Sequence, residues 1–405
     1  MNFAKTATLV WLCSVCLRTA VADDRELGKR LDQVIDRAIT EKKIVGLVAL
    51  VARDGRIVYH RAAGLADRET GRPMREDEVF RLASMSKVIV TAAALALVEQ
   101  GRLRLDDPVT KWLPTFRPKL ADGREPTITI HQLLTHTAGL TYGFLEGEDG
   151  PYHRANVSDG LDQPGLSLDE NLRRIATVPL SFEPGTAWNY SVATDVLGAV
   201  LENVAQAPLS EVVAQLVTGP LGMKTTGFYA HTPARLATPY GDGSPEPIRM
   251  SDPYLVKSGK TTRYRYAPSR VFDRKSFPSA GAGLIGTASD YVTYLETIRK
   301  GGSPILKPET VRKMTTNRIG DLPFEGRGWG FGYGFAVLLD KTKTAAPHDL
   351  GTYQWSGAYG SHFFVNPVRQ LTVVVLTNTA VAGMIGTFPN DLRAAVYAEE
   401  HGTAK

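Results

Sequence analysis

A serine and a lysine stand three positions apart in Phe80-Arg81-Leu82-Ala83-Ser84-Met85-Ser86-Lys87. They head an apolar run that continues through Val88, Ile89 and Val90 into alanines and leucines. On a helix that spacing stacks both side chains on one face. A run apolar nearly all round marks a buried helix. Burial disfavours a charged amine and lowers its pKa toward neutrality. A lysine lowered in this way can take the proton of a neighbouring hydroxyl and make it a nucleophile. A serine near a helix start also gains from the unpaired N–H groups there. Taken alone, S-x-x-K has a plain structural explanation too, with Ser84 as an N-cap and Lys87 reaching out to water.

Context separates the two. The stretches "FRLASMSK", "ITIHQLLTHTAGL", "FEPGTAWNYSVATDVLG", "PLGM", "SAGAGLIGTASDY" and "QWSGAYGSHFFVNP" occur in that order. On these motifs the chain resembles the serine β-lactamase and penicillin-binding-protein superfamily, in its class C-like branch, closest to the family VIII carboxylesterases. The resemblance runs across residues 45 to 380. It implies that Ser84 is the acylated nucleophile and Lys87 its partner. It implies that Tyr190 shares proton transfer with the lysine, either as a tyrosinate or as a neutral relay. Trp355-Ser356-Gly357 stands where β-lactamases carry Lys-Thr-Gly. The N–H of Ala358 would then join that of Ser84 as an oxyanion hole. No metal and no cofactor is implied.

Two departures bear on the substrate. Penicillin-type sites place Asn two residues after the tyrosine, where this chain has Val192, and they bind the substrate carboxylate with the lysine that Trp355 replaces. Loss of an amide and a cation removes both polar handles for a β-lactam or a D-alanyl peptide, and an uncharged small-molecule ester suits the pocket best. The alternatives are a β-lactamase or D-alanyl-D-alanine carboxypeptidase, an acyltransferase of the same superfamily, and a non-catalytic cell-wall sensor.

Other features carry less. Lys257-Ser258-Gly259 mimics the third motif but comes too early and has no apolar strand after it. No G-x-S-x-G occurs, which excludes the α/β-hydrolase elbow. His131 and His136 are five apart, off one helix face, and are read as structural, with His136 bonding backbone near the turn at Gly139. "SAGAGLIG" lacks the phosphate-loop ending and is read as a close backbone approach beside the core sheet. Asp195 is expected to be exposed or to cap its helix. Asn156-Val157-Ser158 is a glycosylation sequon with no meaning in a bacterial source. Trp188, Trp329 and Trp355 are candidates for an acyl pocket and equally for the core.

The elements that must position these residues follow from periodicity and turn chemistry. Residues 24–43 form an amphipathic helix on Leu27, Leu31, Val34, Ile35 and Ala38. "GLVALVARDGRIVYHRAAG" is a hairpin turning at Asp54-Gly55. "SHFFVNPVRQLTVVVLTN" is two further strands turning near Asn366-Pro367, and "PNDLRAAVYAEE" a closing helix with Pro389 early in it. The stretch from 84 to 220 is mostly helical, and 230–275 is polar and irregular, a long loop or lid. The expected fold is α/β (α+β): an antiparallel sheet flanked by helices, built from both termini, with an inserted, mostly helical domain. The boundaries are 23–83 with 275–405 for the sheet domain and 84–274 for the helical one.

Residues 1–22 read as an export signal: Lys5, an apolar run from Ala7 to Leu17, then Ala20-Val21-Ala22. The run is shorter than the roughly 20 residues that span a bilayer, so no stable membrane span is expected after signal removal. The location implied is secreted or periplasmic. Cys13 and Cys16 both lie in this segment, so the mature chain offers no disulfide, no thiol nucleophile and no cysteine-bound zinc. The 405 residues are 43% hydrophobic and 22% charged, an ordinary globular balance with room for a large core. Loss of Lys5 and Arg18 takes the net charge from +5 to +3, spread without a basic block, which argues against nucleic-acid binding. The sequence sets no oligomeric state.

Overall fold

The computed structural model describes residues 24–230, 233–258 and 262–398; the expected export signal lies outside the described residues. Its centre is an eight-stranded antiparallel sheet. In spatial order the strands are Trp329–Phe331, Ala336–Leu338, Tyr353–Gly357, Ser361–Asn366, Leu371–Thr377, Gly46–Arg53, Arg56–Asp67 and Arg72–Pro73. The two ends of the chain meet at the middle of this sheet, where Leu47 pairs with Thr377 and Arg53 with Leu371. The hairpin turns as expected, with Asp54 and Gly55 both at positive φ, +52° and +80°.

Period-two alternation explains why the sheet is covered on both sides. Leu47, Ala49 and Val51 pack with Leu27, Leu31 and Ile35 of the helix at 24–40 and with Phe388 and Leu392 of the closing helix Thr387–Tyr397. Val48, Leu50 and Ala52 point the other way, into a cluster with Val88, Ile89, Val196 and Leu197. That cluster runs without a break from the sheet into the helices Ser86–Glu99 and Ala193–Ala205. Every residue from Ser86 to Leu97 is buried, so the apolar run does form a wholly interior helix. Among the described residues no helix is long and apolar enough to cross a membrane.

The segment 230–275 departs from expectation. Tyr240–Gly241 pairs with Ile248–Arg249, Tyr254–Ser258 pairs with Thr262–Tyr266, and Pro268–Phe272 forms a 3₁₀ turn. Val256 and Tyr266 are buried while Lys257 and Arg265 face solvent. The outward cations made this hairpin read as a polar loop. Lys257 belongs to it, exposed, and Gly259 lies outside the described residues.

Candidate active site

Ser84 lies one step outside the long helix. It sits in a 3₁₀ turn, Ala83–Met85, that leads into Ser86–Glu99, and no side chain caps either segment. The N-cap explanation of Ser84 therefore does not hold. The approach to this turn is fixed from two sides. Phe80–Arg81 pairs with Ile285–Gly286, and Leu82 N donates to Leu284 O at 2.9 Å. Ala83, wholly buried, has φ +46°, a left-handed conformation that a non-glycine residue adopts only when its surroundings impose it. Gly357 is part of those surroundings. A Cβ there would lie 2.2 Å from Leu82 O, so only glycine lets the strand Tyr353–Gly357 lie against the serine's lead-in.

Lys87 is buried and does not reach water. Its Nζ donates to Gly281 O at 2.8 Å and sits 3.4 Å from Ser84 Oγ. It also stands 4.7 Å from the centroid of the Tyr190 ring. Burial pulls the ammonium down to a pKa of about 7, against the opposing pull of the Asp195 and Asp159 carboxylates. Tyr190 moves the other way. Burial raises its phenol, with hydrogen bonds to Ser84 and to Trp355 Nε1 (3.4 Å) acting in the opposite sense. The phenol is thus protonated while the amine titrates near neutrality. An amine in that range next to a hydroxyl can accept a proton, and a protonated phenol can pass one on.

His131 and His136 do not line the cavity on which Ser84 and Tyr190 open. His136 is buried, its Nδ1 lies 3.1 Å from Ser191 Oγ, and its ring packs edge-on against Tyr190 at 5.0 Å. Its ring partner is thus a side chain, not the expected backbone near Gly139. Burial holds it well below the usual imidazole range, so it is neutral. His131 Nδ1 pairs with Tyr333 OH at 2.9 Å.

Asp195 overturns its expectation. It is 1% exposed and caps nothing: Oδ1 accepts from Ser279 Oγ at 2.8 Å and from Gly281 N at 3.1 Å. An acid in the first turn of a helix has a ready surface reading, and only tertiary packing reveals the burial. Asp159 and Tyr142 were not identified from sequence. Asp159 accepts from the N–H groups of Gly143 (2.9 Å) and Phe144 (3.0 Å), and burial, with Asp162 nearby, pushes its carboxyl up to about 7. Neither residue stands in a spacing that signals chemistry. "SAGAGLIG" is a close approach, but to Lys87 and the Phe80–Arg81 strand, not to the main sheet: a Cβ on Gly281 would sit 3.4 Å from Lys87 Nζ.

Ser84 and Tyr190 open on a cavity of about 460 Å³, with Trp355, Ser356 and Ala358 along one side. This is an ordinary size for a small-molecule site. Phe144, Tyr264, Phe324 and Trp329 make much of its wall aromatic. Trp188 does not line it; it packs behind, against Phe324 and Phe331. Val192 is wholly buried and is not part of the wall. Tyr266 OH donates to Ala358 O at 2.7 Å, which steadies the turn carrying the Ala358 N–H. Arg393 brings a cation to the wall, where its charge acts on His362 and His348.

Comparison with known proteins places the chain among named hydrolases. Esterase EstB of Burkholderia gladioli is 52% identical over 380 residues, covering 93% of this chain and 96% of its own length. Lovastatin esterase of Penicillium rubens is 30% identical over 402 residues, covering 89% and 97%. Among solved structures, EstCE1, described as a hydrolase with promiscuous acyltransferase activity, superposes with a TM-score of 0.88 at 45% identity, covering 93% of this chain and all of that one. The family model described as Beta-lactamase matches residues 31–398, and the chain belongs to the β-lactamase family.

Proposed function

We infer that the chain is a serine ester hydrolase that works through an acyl-enzyme on Ser84. The observation that carries this reading is the buried Lys87 amine, titrating near neutrality 3.4 Å from Ser84 Oγ, with the Tyr190 phenol beside both. Two extensive relatives named as esterases and a third named as a hydrolase support the ester as substrate. Ser84 Oγ attacks the ester carbonyl as neutral Lys87 takes its proton. The N–H groups of Ser84 and Ala358 hold the developing oxyanion. The proton passes through Tyr190 to the departing alkoxide. Water, activated by the same pair, then releases the acid and frees Ser84.

The substrate is a small molecule. Trp355 on the cavity wall, in place of a cation, supports an uncharged ester over a β-lactam; Val192 lies off the wall and does not bear on the choice. Acyl transfer to an alcohol is a second reading, favoured by the described activity of EstCE1; it differs only in the acceptor that takes the acyl group. Export through the first 22 residues, and hence action outside the cytoplasm, is supported by the Lys5, apolar-run and Ala20-Val21-Ala22 pattern. A panel of short nitrophenyl esters and a chromogenic cephalosporin, run on wild type and Ser84→Ala, tests the assignment. The expected result is ester turnover ahead of lactam turnover by at least about 10²-fold, with loss of at least about 10³-fold in Ser84→Ala. Lactam turnover ahead of ester turnover by orders of magnitude would reject it.

A further inference from the structure

Close to Lys87 lies a carboxylate, Asp195, that does not line the cavity. Asp195 Oδ1 accepts from Ser279 Oγ and from Gly281 N, and Gly281 O accepts the Lys87 amine. One peptide residue thus links acid to base. Asp195 Oδ2 is buried and takes no hydrogen bond. It points into the same small space: a Cβ on Gly281 would stand 3.1 Å from Asp195 Oδ2, 3.4 Å from Lys87 Nζ and 3.0 Å from Tyr142 OH.

We propose that Asp195 is a positioning residue for Lys87, holding the Ser279–Gly281 segment so that the Gly281 carbonyl orients the amine toward Ser84, and placing a carboxylate beside the amine as its counter-charge. The proposal rests on the reading of Lys87 as base. Asp195 does not line the cavity, so it acts through Lys87 and not on the substrate. The groups facing the amine are Asp195 from its helix, Asp159 from the loop between the helices Pro151–Arg154 and Leu168–Thr177, the phenols of Tyr142 and Tyr190, and neutral His136. Asp195 and Asp159 are the acids among them; burial raises both carboxyls, and when ionised both favour the ammonium.

Asp195→Asn keeps the shape and an acceptor for Gly281 N but removes the charge. Its kcat/KM profile is expected to have an acidic limb moved to lower pH by about half a unit or more, with kcat reduced and KM within about twofold of wild type. Asp159 is retained in both proteins; the Asp195 charge helps to raise its carboxyl, so losing that charge makes Asp159 more anionic and offsets part of the expected movement. Ser279→Ala is the second variant, for the case in which Asp195→Asn does not fold. It removes a donor that favours the carboxylate and is expected to move the limb the same way by less. An acidic limb unmoved in the folded variant overturns the proposal, as does a changed KM at constant kcat. Ser84→Ala is the control: if it retains ester turnover, the underlying esterase reading fails instead.

Discussion

The chemistry of single residues is set here by burial more than by charge pairing. Lys87 must be neutral to accept the Ser84 proton, so kcat/KM on a neutral ester is expected to rise with pH through about 7 and to be lost below it; a flat profile from pH 5 to 9 would contradict the assignment. The same burial opposes stability. The unfolded amine keeps its proton up to the ordinary 10.5, the folded one only to about 7, so unfolding between those values takes up a proton and stability rises with pH across that window. Below pH 7 the folded state holds a charged amine in a dry site. Lys87→Met is therefore expected to lose ester turnover yet to melt no lower than wild type at pH 6, by calorimetry at matched salt. Ser84, Lys87 and Tyr190 were legible in the sequence because each sits in a spaced motif. Asp195, Asp159 and Tyr142 were not. Nothing local distinguishes a buried carboxylate in a helix's first turn from an exposed one, and Tyr142 gains its place only when Gly281 arrives from far along the chain.

At the scale of elements, the site depends on close backbone contacts that glycine permits. Gly357 rests directly on Leu82 O, so Gly357→Ala must push the strand Tyr353–Gly357 away from the Ala83–Met85 turn. The expected outcome is a destabilisation of about 1–3 kcal/mol in urea unfolding, with kcat falling more than KM changes because the Ala358 N–H moves relative to Ser84. Wild-type stability and turnover in Gly357→Ala would show that this contact does not set the oxyanion geometry. Hairpins with strong turn chemistry, such as Asp54-Gly55, were legible from their sequence, as was the buried helix after Ser84. The hairpin Tyr254–Ser258 with Thr262–Tyr266 was not, because Lys257, Arg263 and Arg265 interrupt its apolar residues and hide the alternation that buries Val256 and Tyr266. The Ala83–Met85 turn was hidden in the same way: a motif at helical spacing reads as a helix start, and the left-handed Ala83 is imposed by its neighbours.

Across the whole molecule, the sheet built from both chain ends supplies one wall of the site through Trp355–Ala358. The interior helix supplies Lys87, the Ala193–Ala205 helix and its lead-in supply Asp195 and Tyr190, and the Ser279–Gly281 segment ties Lys87 to Asp195. The antiparallel sheet and the meeting of the termini could be read from patterning. The shape of the cavity could not, since its wall draws on residues from Ser84 to Arg393. All of this matters only if Ser84 is the atom that carries the acyl group. The most direct measurement is intact-mass and peptide-mass analysis after reaction with a fluorophosphonate. One adduct per chain is predicted, on the peptide bearing Ser84, absent in Ser84→Ala and formed much more slowly in Lys87→Met. An adduct on another residue, or full ester turnover in a Ser84→Ala protein that takes no label, would contradict the account.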